Sequence, residues 1–154
     1  MEKTYLEDFS IGETLTTPGR TITETDIVHY AMLTGDWHPV HTDATYAQQT
    51  QFGERIAHGM LTLIIGSTLV HRMGPYVYVP KGFIAFYGIE KARFLHPVKI
   101  GDTLHAVIRV DDLIPKDERR GTIQYHEEIR NQDDTIVLTW TSRMLVERRP
   151  GKQS

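Results

Sequence analysis

Residues 58–72 read His-Gly-Met-Leu-Thr-Leu-Ile-Ile-Gly-Ser-Thr-Leu-Val-His-Arg. Wound as a helix, Met60, Leu61, Leu63, Ile64, Ile65, Leu69 and Val70 go nearly all the way round. A helix apolar on every side belongs inside a core, enclosed by other elements. Gly74-Pro75 stops it. The run is too short to span a bilayer, and Thr62 and Ser67 interrupt it. Something must therefore wrap a long central helix.

The following half of the chain supplies the wrapping. Segments near Phe83–Phe94, Thr103–Leu113, Gly121–Arg130 and Thr135–Glu147 carry partial period-two alternation with β-branched and aromatic residues. Pro115-Lys116-Asp117 and Asn131-Gln132-Asp133-Asp134 are turn chemistry between consecutive strands. The pattern predicts an antiparallel meander, curved around the apolar helix, in an α+β arrangement. Such a sheet has exposed edges, so pairing of two copies through an edge strand is expected.

Before the helix, the segment to Arg20 reads as short strand and loop. Thr23 is placed to cap a helix over residues 24–34, with Asp26 at the capping-box position and Gly35 just past the end. Residues 44–49 suggest another short helix. With no repeat or low-complexity linker, residues 1–148 are expected to form one domain and 149–154 a polar tail.

Composition limits the function classes. The 154 residues carry a net charge of −3 and no cysteine. That gives no electrostatic case for nucleic acid or an anionic membrane surface, and no thiolate metal site or thiol nucleophile. The charged stretch MEKTYLEDFSIGETL does not resemble an export signal. A cytoplasmic setting is the expectation.

Chemistry gathers in residues 34–43, Thr-Gly-Asp-Trp-His-Pro-Val-His-Thr-Asp. Asp36 and His41 are a minimal set for moving a proton, and Trp37 and Pro39 would stiffen and partly dehydrate the turn. The plainer alternative is an Asx turn at Asp36 beside an ordinary histidine. His38 and His41, with Asp36, Asp43 and His58, could also be weighed as metal ligands. Pro39 keeps the two histidines off one helical face and no further His-x-x-His completes a set, so no metal is expected. His58-Gly59-Met60 opens the apolar helix, where free amides stabilise negative charge. A carbonyl oxygen becoming an enolate would suit the Gly59 amide, although glycine also suits a tight helix entry. Ser67 either bonds back to its own helix or lines a pocket.

The run Tyr30-Ala31-Met32-Leu33-Thr34-Gly35-Asp36-Trp37-His38-Pro39-Val40-His41-Thr42-Asp43, then Arg55-Ile56-Ala57-His58-Gly59-Met60-Leu61, then Phe94-Leu95-His96-Pro97-Val98-Lys99-Ile100-Gly101-Asp102-Thr103-Leu104 resembles the MaoC-like, (R)-specific enoyl-CoA hydratases. The resemblance implies a hot-dog fold. It implies that Asp36 and His41 activate a water for addition to a trans-2-enoyl thioester, giving a (R)-3-hydroxyacyl-CoA. Gly59 would polarise the thioester carbonyl, with Ser67 and His38 in the supporting network. Trp37 and Met60 are candidates for the substrate pocket. No cofactor is implied, coenzyme A being part of the substrate, and a homodimer or an assembly of dimers is expected. His38 departs from the family, which commonly has asparagine there, and puts the geometry around Asp36 in question. Lys91, Arg93 and Lys99 are candidates to meet the coenzyme A phosphates. The rival readings are an acyl-CoA thioesterase, disfavoured by the absence of Asp or Glu between Gly59 and Val70, and a noncatalytic acyl-CoA-binding module.

Overall fold

The computed structural model describes residues 1–151. In chain order it contains β1 (Thr14–Thr16), β2 (Arg20–Thr21), α1 (Glu24–Thr34), α2 (Pro39–Thr42), α3 (Ala44–Gln48), α4 (Gly59–Thr68), β3 (Phe83–Phe94), β4 (Thr103–Pro115), β5 (Arg120–Arg130) and β6 (Ile136–Glu147). One antiparallel sheet has the order β1-β4-β5-β6-β3, with β2 also paired to β4. It curves around α4, the arrangement expected from the sequence.

Two expectations are corrected. The four long strands do not form a simple meander: β4, β5 and β6 follow one another, but β3 pairs with β6 at the far edge. Residues 116–120 and 131–135 close hairpins with local hydrogen bonds. The segment between β3 and β4 is engaged elsewhere. Leu95 donates to the Val137 carbonyl, Ala57 donates to the Val98 carbonyl, and Ile56 bridges Lys99. A chain tied to β6 and to the segment before α4 cannot also make a tight turn.

The central helix is also shorter and less enclosed than expected. α4 has ten residues and passes into a 3-10 turn at Leu69–Met73. Leu61, Leu63 and Ile65 are buried, but Met60 and Ile64 are 52% and 48% exposed. The outward stripe is one turn apart on one side of the helix, as i, i+4 spacing requires.

The core side is close-packed. Ile123, Tyr125 and Ile129 on β5 and Leu138, Trp140 and Met144 on β6 alternate inward. A Cβ at Gly66 would lie 2.7 Å from Ile129 Cγ1 and 3.4 Å from Trp140 Cη2. Only glycine lets α4 rest this near the sheet. Glu127 shares the inward face and is buried, accepting hydrogen bonds from Tyr78 Oη at 2.8 Å and from the Ser142 hydroxyl. Arg149, the first residue of the expected tail, is held at the surface by Asp8 and by an amide hydrogen bond to Glu7 Oε2 of 2.9 Å. The rest of the tail beyond Gly151 lies outside the described residues.

Candidate active site

The site is built where α1 ends. Thr23 and Asp26 form the expected capping box, and Gly35 closes the helix in the left-handed conformation at φ 77°. That reversal throws Asp36 out of the helix. Its Oδ1 accepts from the His38 amide at 3.2 Å, so the Asx turn exists alongside any chemical role.

Residues 39–42 then form one helical turn, α2, which the sequence reading treated as part of the polar turn. Pro39 occupies its first turn, as its fixed φ favours. His38 is the N-cap: its Nδ1 accepts from the Val40 amide at 3.1 Å. The question posed by histidine in place of asparagine has a local answer, because an imidazole nitrogen does the work of an amide oxygen. Asp43 likewise caps α3 by accepting from the Tyr46 amide at 2.9 Å, a structural role for the acid weighed above as a metal ligand.

His41 lies on α2 and faces the segment entering α4. The Ile56 amide donates to the Val40 carbonyl at 3.2 Å, and His41 Nδ1 donates to the Ile56 carbonyl at 2.7 Å. The acceptor is a carbonyl, so Nδ1 carries the proton and Nε2 of the neutral ring keeps a free lone pair. Burial pushes the His41 pKa below its ordinary value, opposed by the bond to Ile56; His58 and His38 add to the lowering and Asp36 opposes it.

Sequence alone points to Gly59 at the site and gives His58 no catalytic or supporting role. His58 is 2% exposed. Its Nε2 donates to the Asp36 carbonyl at 2.9 Å, and its ring stacks on His41 with centroids 3.9 Å apart and planes 29° apart. One polar atom each from Asp36, His41 and His58 lies within 4.8 Å of the others. The signal in the sequence was the position of His58 at the mouth of the helix whose amides had already been assigned a role.

Three such groups are also the minimum for a metal. Nearly parallel stacked rings point their in-plane lone pairs side by side, however, rather than converging on one ion. The geometry suits proton transfer better.

The amides of Gly59, Met60 and Leu61 begin α4 and have no acceptor within the helix, and no side chain caps them. Beside them is a hollow of ≈ 320 Å³ walled by Ile56, Gly59, Phe94, Leu95, His96 and Val137. Its lining is apolar apart from His96 and Thr62. The Phe94 ring reaches within 3.0 Å of where a Gly59 Cβ would stand, so glycine here admits a close neighbour. A larger hollow of ≈ 840 Å³ lies at the other end of β3, among Tyr5, Ile84, Arg120 and Arg148. Its Arg120 and Arg148 are paired with Asp117 and Glu7, and it contains none of the histidine cluster.

Other expected site residues fall apart from this cluster. Ser67 donates to the Ile64 carbonyl at 2.9 Å and is about 13 Å along the helix from His58. Trp37 is 51% exposed in the single chain and so does not dehydrate the turn; burial of His41 comes from His58 and Ile56. Met60 faces outward beside Gly59. Lys99 pairs with Glu54 at 2.6 Å, whereas Lys91 and Arg93 make no ion pair among the described residues. Lys91 has φ 55° at a bulge in β3, a strained conformation for a residue with a side chain.

Comparison with known proteins relates the chain as a whole to others. The family model described as MaoC like domain matches residues 8–132. The (R)-specific enoyl-CoA hydratase of Rhodospirillum rubrum is 39% identical over 114 residues, covering 73% of each chain. Protein MaoC of Klebsiella aerogenes is 34% identical over 139 residues; these are 90% of this chain but only 37% of that protein. A crystal structure of a protein from Archaeoglobus described as a monoamine oxidase regulatory protein superposes with TM-score 0.89 at 40% identity, covering 97% of this chain and 98% of that one. A Mycobacterium tuberculosis protein with a double hot-dog fold superposes with TM-score 0.79 at 20% identity, covering 99% of this chain and 46% of that one. The helix-wrapped sheet is thus the hot-dog fold.

Proposed function

The chain belongs to the MaoC-like domain family, and from that premise we propose that it is an (R)-specific hydratase of trans-2-enoyl-CoA, run in either direction. The observation that carries the reading is the gathering of Asp36, His41 and His58 within 4.8 Å beside the free amides that open α4. The R. rubrum relative, named for that activity, supports it.

The chemistry follows from the groups present. The thioester carbonyl makes the β-carbon electrophilic. Its oxygen accepts from the Gly59 amide, so the negative charge that develops there meets the positive end of α4. A water lies between the Asp36 carboxylate and His41 Nε2, gives a proton to this pair and attacks the β-carbon. The carbon–carbon π electrons move toward the carbonyl oxygen as an enolate. The pair then returns a proton to the α-carbon, and the water's atoms are accounted for without oxidant or metal. We infer no resident cofactor, so exhaustive treatment with a chelator should leave turnover unchanged.

The acyl chain would enter the hollow beside Gly59, with coenzyme A outside and its phosphates toward Lys91 and Arg93. We further propose that the active form is a homodimer. β3 is an edge strand of 12 residues that exposes Phe83, Ile84, Phe86, Tyr87 and Ile89, and α4 exposes Met60 and Ile64. Such a surface asks for cover, and a second copy pairing along β3 supplies it. No helix among the described residues is long and apolar enough to cross a membrane.

The test is direct. Purified protein mixed with crotonyl-CoA should remove the enoyl thioester absorbance and yield the R product. No loss with short, long and branched enoyl-CoAs would end the proposal. Thiol release from a saturated acyl-CoA would instead favour the thioesterase reading, which α4 disfavours by having no carboxylate.

A further inference from the structure

We propose that His58 is the positioning residue of this site, its Nε2–H holding the Asp36 carbonyl while its ring holds the face of His41, so that Asp36 and His41 stay aimed at one water. This role rests on the hydratase reading above and adds a residue that acts through the reacting pair.

Three observations support it. The first is the hydrogen bond. Nε2 is 2.9 Å from the Asp36 carbonyl, which can only accept, so the neutral ring has its proton on Nε2. Asp36 otherwise sits on an exposed turn, and this bond anchors it to the start of α4.

The second is the stack. The His58 ring lies against His41 with centroids 3.9 Å apart, and Tyr30 on α1 closes against His58 at 4.6 Å. With Nδ1 of His41 fixed on Ile56, this contact sets the plane in which Nε2 can point. Two imidazoles this close resist carrying charge together, which favours the neutral His41 that a base requires.

The third is a deficit. His58 Nδ1 is buried and has no hydrogen-bond partner. A phenyl ring would fill the same space without stranding a polar atom, so packing alone does not account for histidine here. The Nε2–H does.

Two substitutions separate the contributions. His58→Phe keeps a ring and loses the donor. His58→Gln keeps an N–H and loses the ring. For His58→Phe, kcat with crotonyl-CoA should fall roughly 10- to 100-fold with KM little changed, the usual cost of removing an orienting hydrogen bond. For His58→Gln, the His41 titration followed by ¹⁵N NMR should move up toward the ordinary histidine value. The acid limb of kcat/KM should move with it. Burial and the bond to the Ile56 carbonyl act most strongly on His41, and the titratable groups that face it are His58, Asp36 and His38. Because Ile56, Asp36 and His38 are unchanged, the shift reports the cover and charge that His58 supplies.

Wild-type values for kcat and for the His41 midpoint in both variants would overturn the proposal. So would an Nδ1–H tautomer of His58 in the wild-type ¹⁵N spectrum, a measurement that needs no folded variant. If the wild type hydrates no enoyl-CoA, the hydratase reading fails. The His58 tautomer and the His41 shift would still show whether His58 holds these two groups.

Discussion

A double-mutant cycle on Asp36 and His41 tests whether the two act on one water. A water accepts or donates over about 2.8 Å on each side, so two groups sharing it stand at most about 5.6 Å apart. The polar atoms of Asp36 and His41 lie within 4.8 Å, inside that limit. Asp36→Asn leaves the turn intact, since the amide oxygen can still accept from the His38 amide. His41→Ala removes the base but not Ile56, whose carbonyl turns to water. Each should cost on the order of 10²–10⁴ in kcat, about 2.7–5.5 kcal/mol of barrier. If both serve one water, the second loss finds little left to remove. The double variant should then fall no more than about tenfold below the slower single. The assay is initial-rate hydration of crotonyl-CoA, with thermal melts confirming the fold of each variant. Costs that multiply, to about 10⁴–10⁸ in the double variant, would refute a shared water and assign the residues to separate steps.

The remaining predictions use other contacts. The pKa of His41 is held below its ordinary 6.5 chiefly by burial, so kcat/KM should stay level as pH falls through 6.5 and drop only below it; a drop centred above 6.5 would exclude His41 as the base. His38→Asn should leave activity and melting temperature near wild type because the cap on Val40 survives, whereas His38→Ala should cost about 1 kcal/mol in a denaturant melt. Burial raises the pKa of Glu127 above 4.5, so its folded form binds more protons than the unfolded chain between 4.5 and the raised value. Stability from the protonated acid is complete below 4.5 and is lost as pH climbs through that window. Glu127→Gln should therefore gain on wild type in thermal melts as pH rises from 4.5, and a difference independent of pH would refute the assignment.

How far the sequence could be read depends on the range of each interaction. Helix α1 was legible to the residue because its signals are local: Thr23, Asp26 and Gly35 act within one turn of the ends they set. The long strands were found within about two residues by alternation and turn chemistry. The place of β3 was not found, because pairing with β6 depends on what residues 95–98 touch some 40 residues away. The Asp36–His41 pair was visible since both sit on one short segment. Its third member was not, since His58 arrives from a separate element and contributes by a ring face and a bond to a backbone carbonyl. Glu127 could have been noticed: it shares the inward parity of Ile123, Tyr125 and Ile129, where a carboxyl group must be satisfied or protonated. Ser67 entered the supporting network by resemblance, whereas its residue type left open a bond back to its own helix, and that bond is the one its hydroxyl makes here.

The parts of the site are unequally covered, and that difference bears on how it works. His41 and His58 are backed by the core, while Asp36 stands on a turn whose outer side is open beside Trp37. A carboxylate in bulk water is a weak base, and an enolate facing solvent loses much of what the α4 amides offer. The single chain therefore supplies positions without supplying dryness. Met32 and Leu33 at the end of α1, Trp37 on the turn after it, and Met60 and Ile64 on α4 are apolar and exposed. A second copy seated along β3 would cover apolar surface that costs free energy when wet and, in the same act, exclude water from the reacting groups. In this reading, association and catalysis share one cause. A substitution such as Ile89→Lys, far from the Asp36–His41 pair in sequence and on the exposed edge strand, should then lower the sedimentation mass and kcat together. Monomers retaining full kcat would show that one chain excludes water unaided.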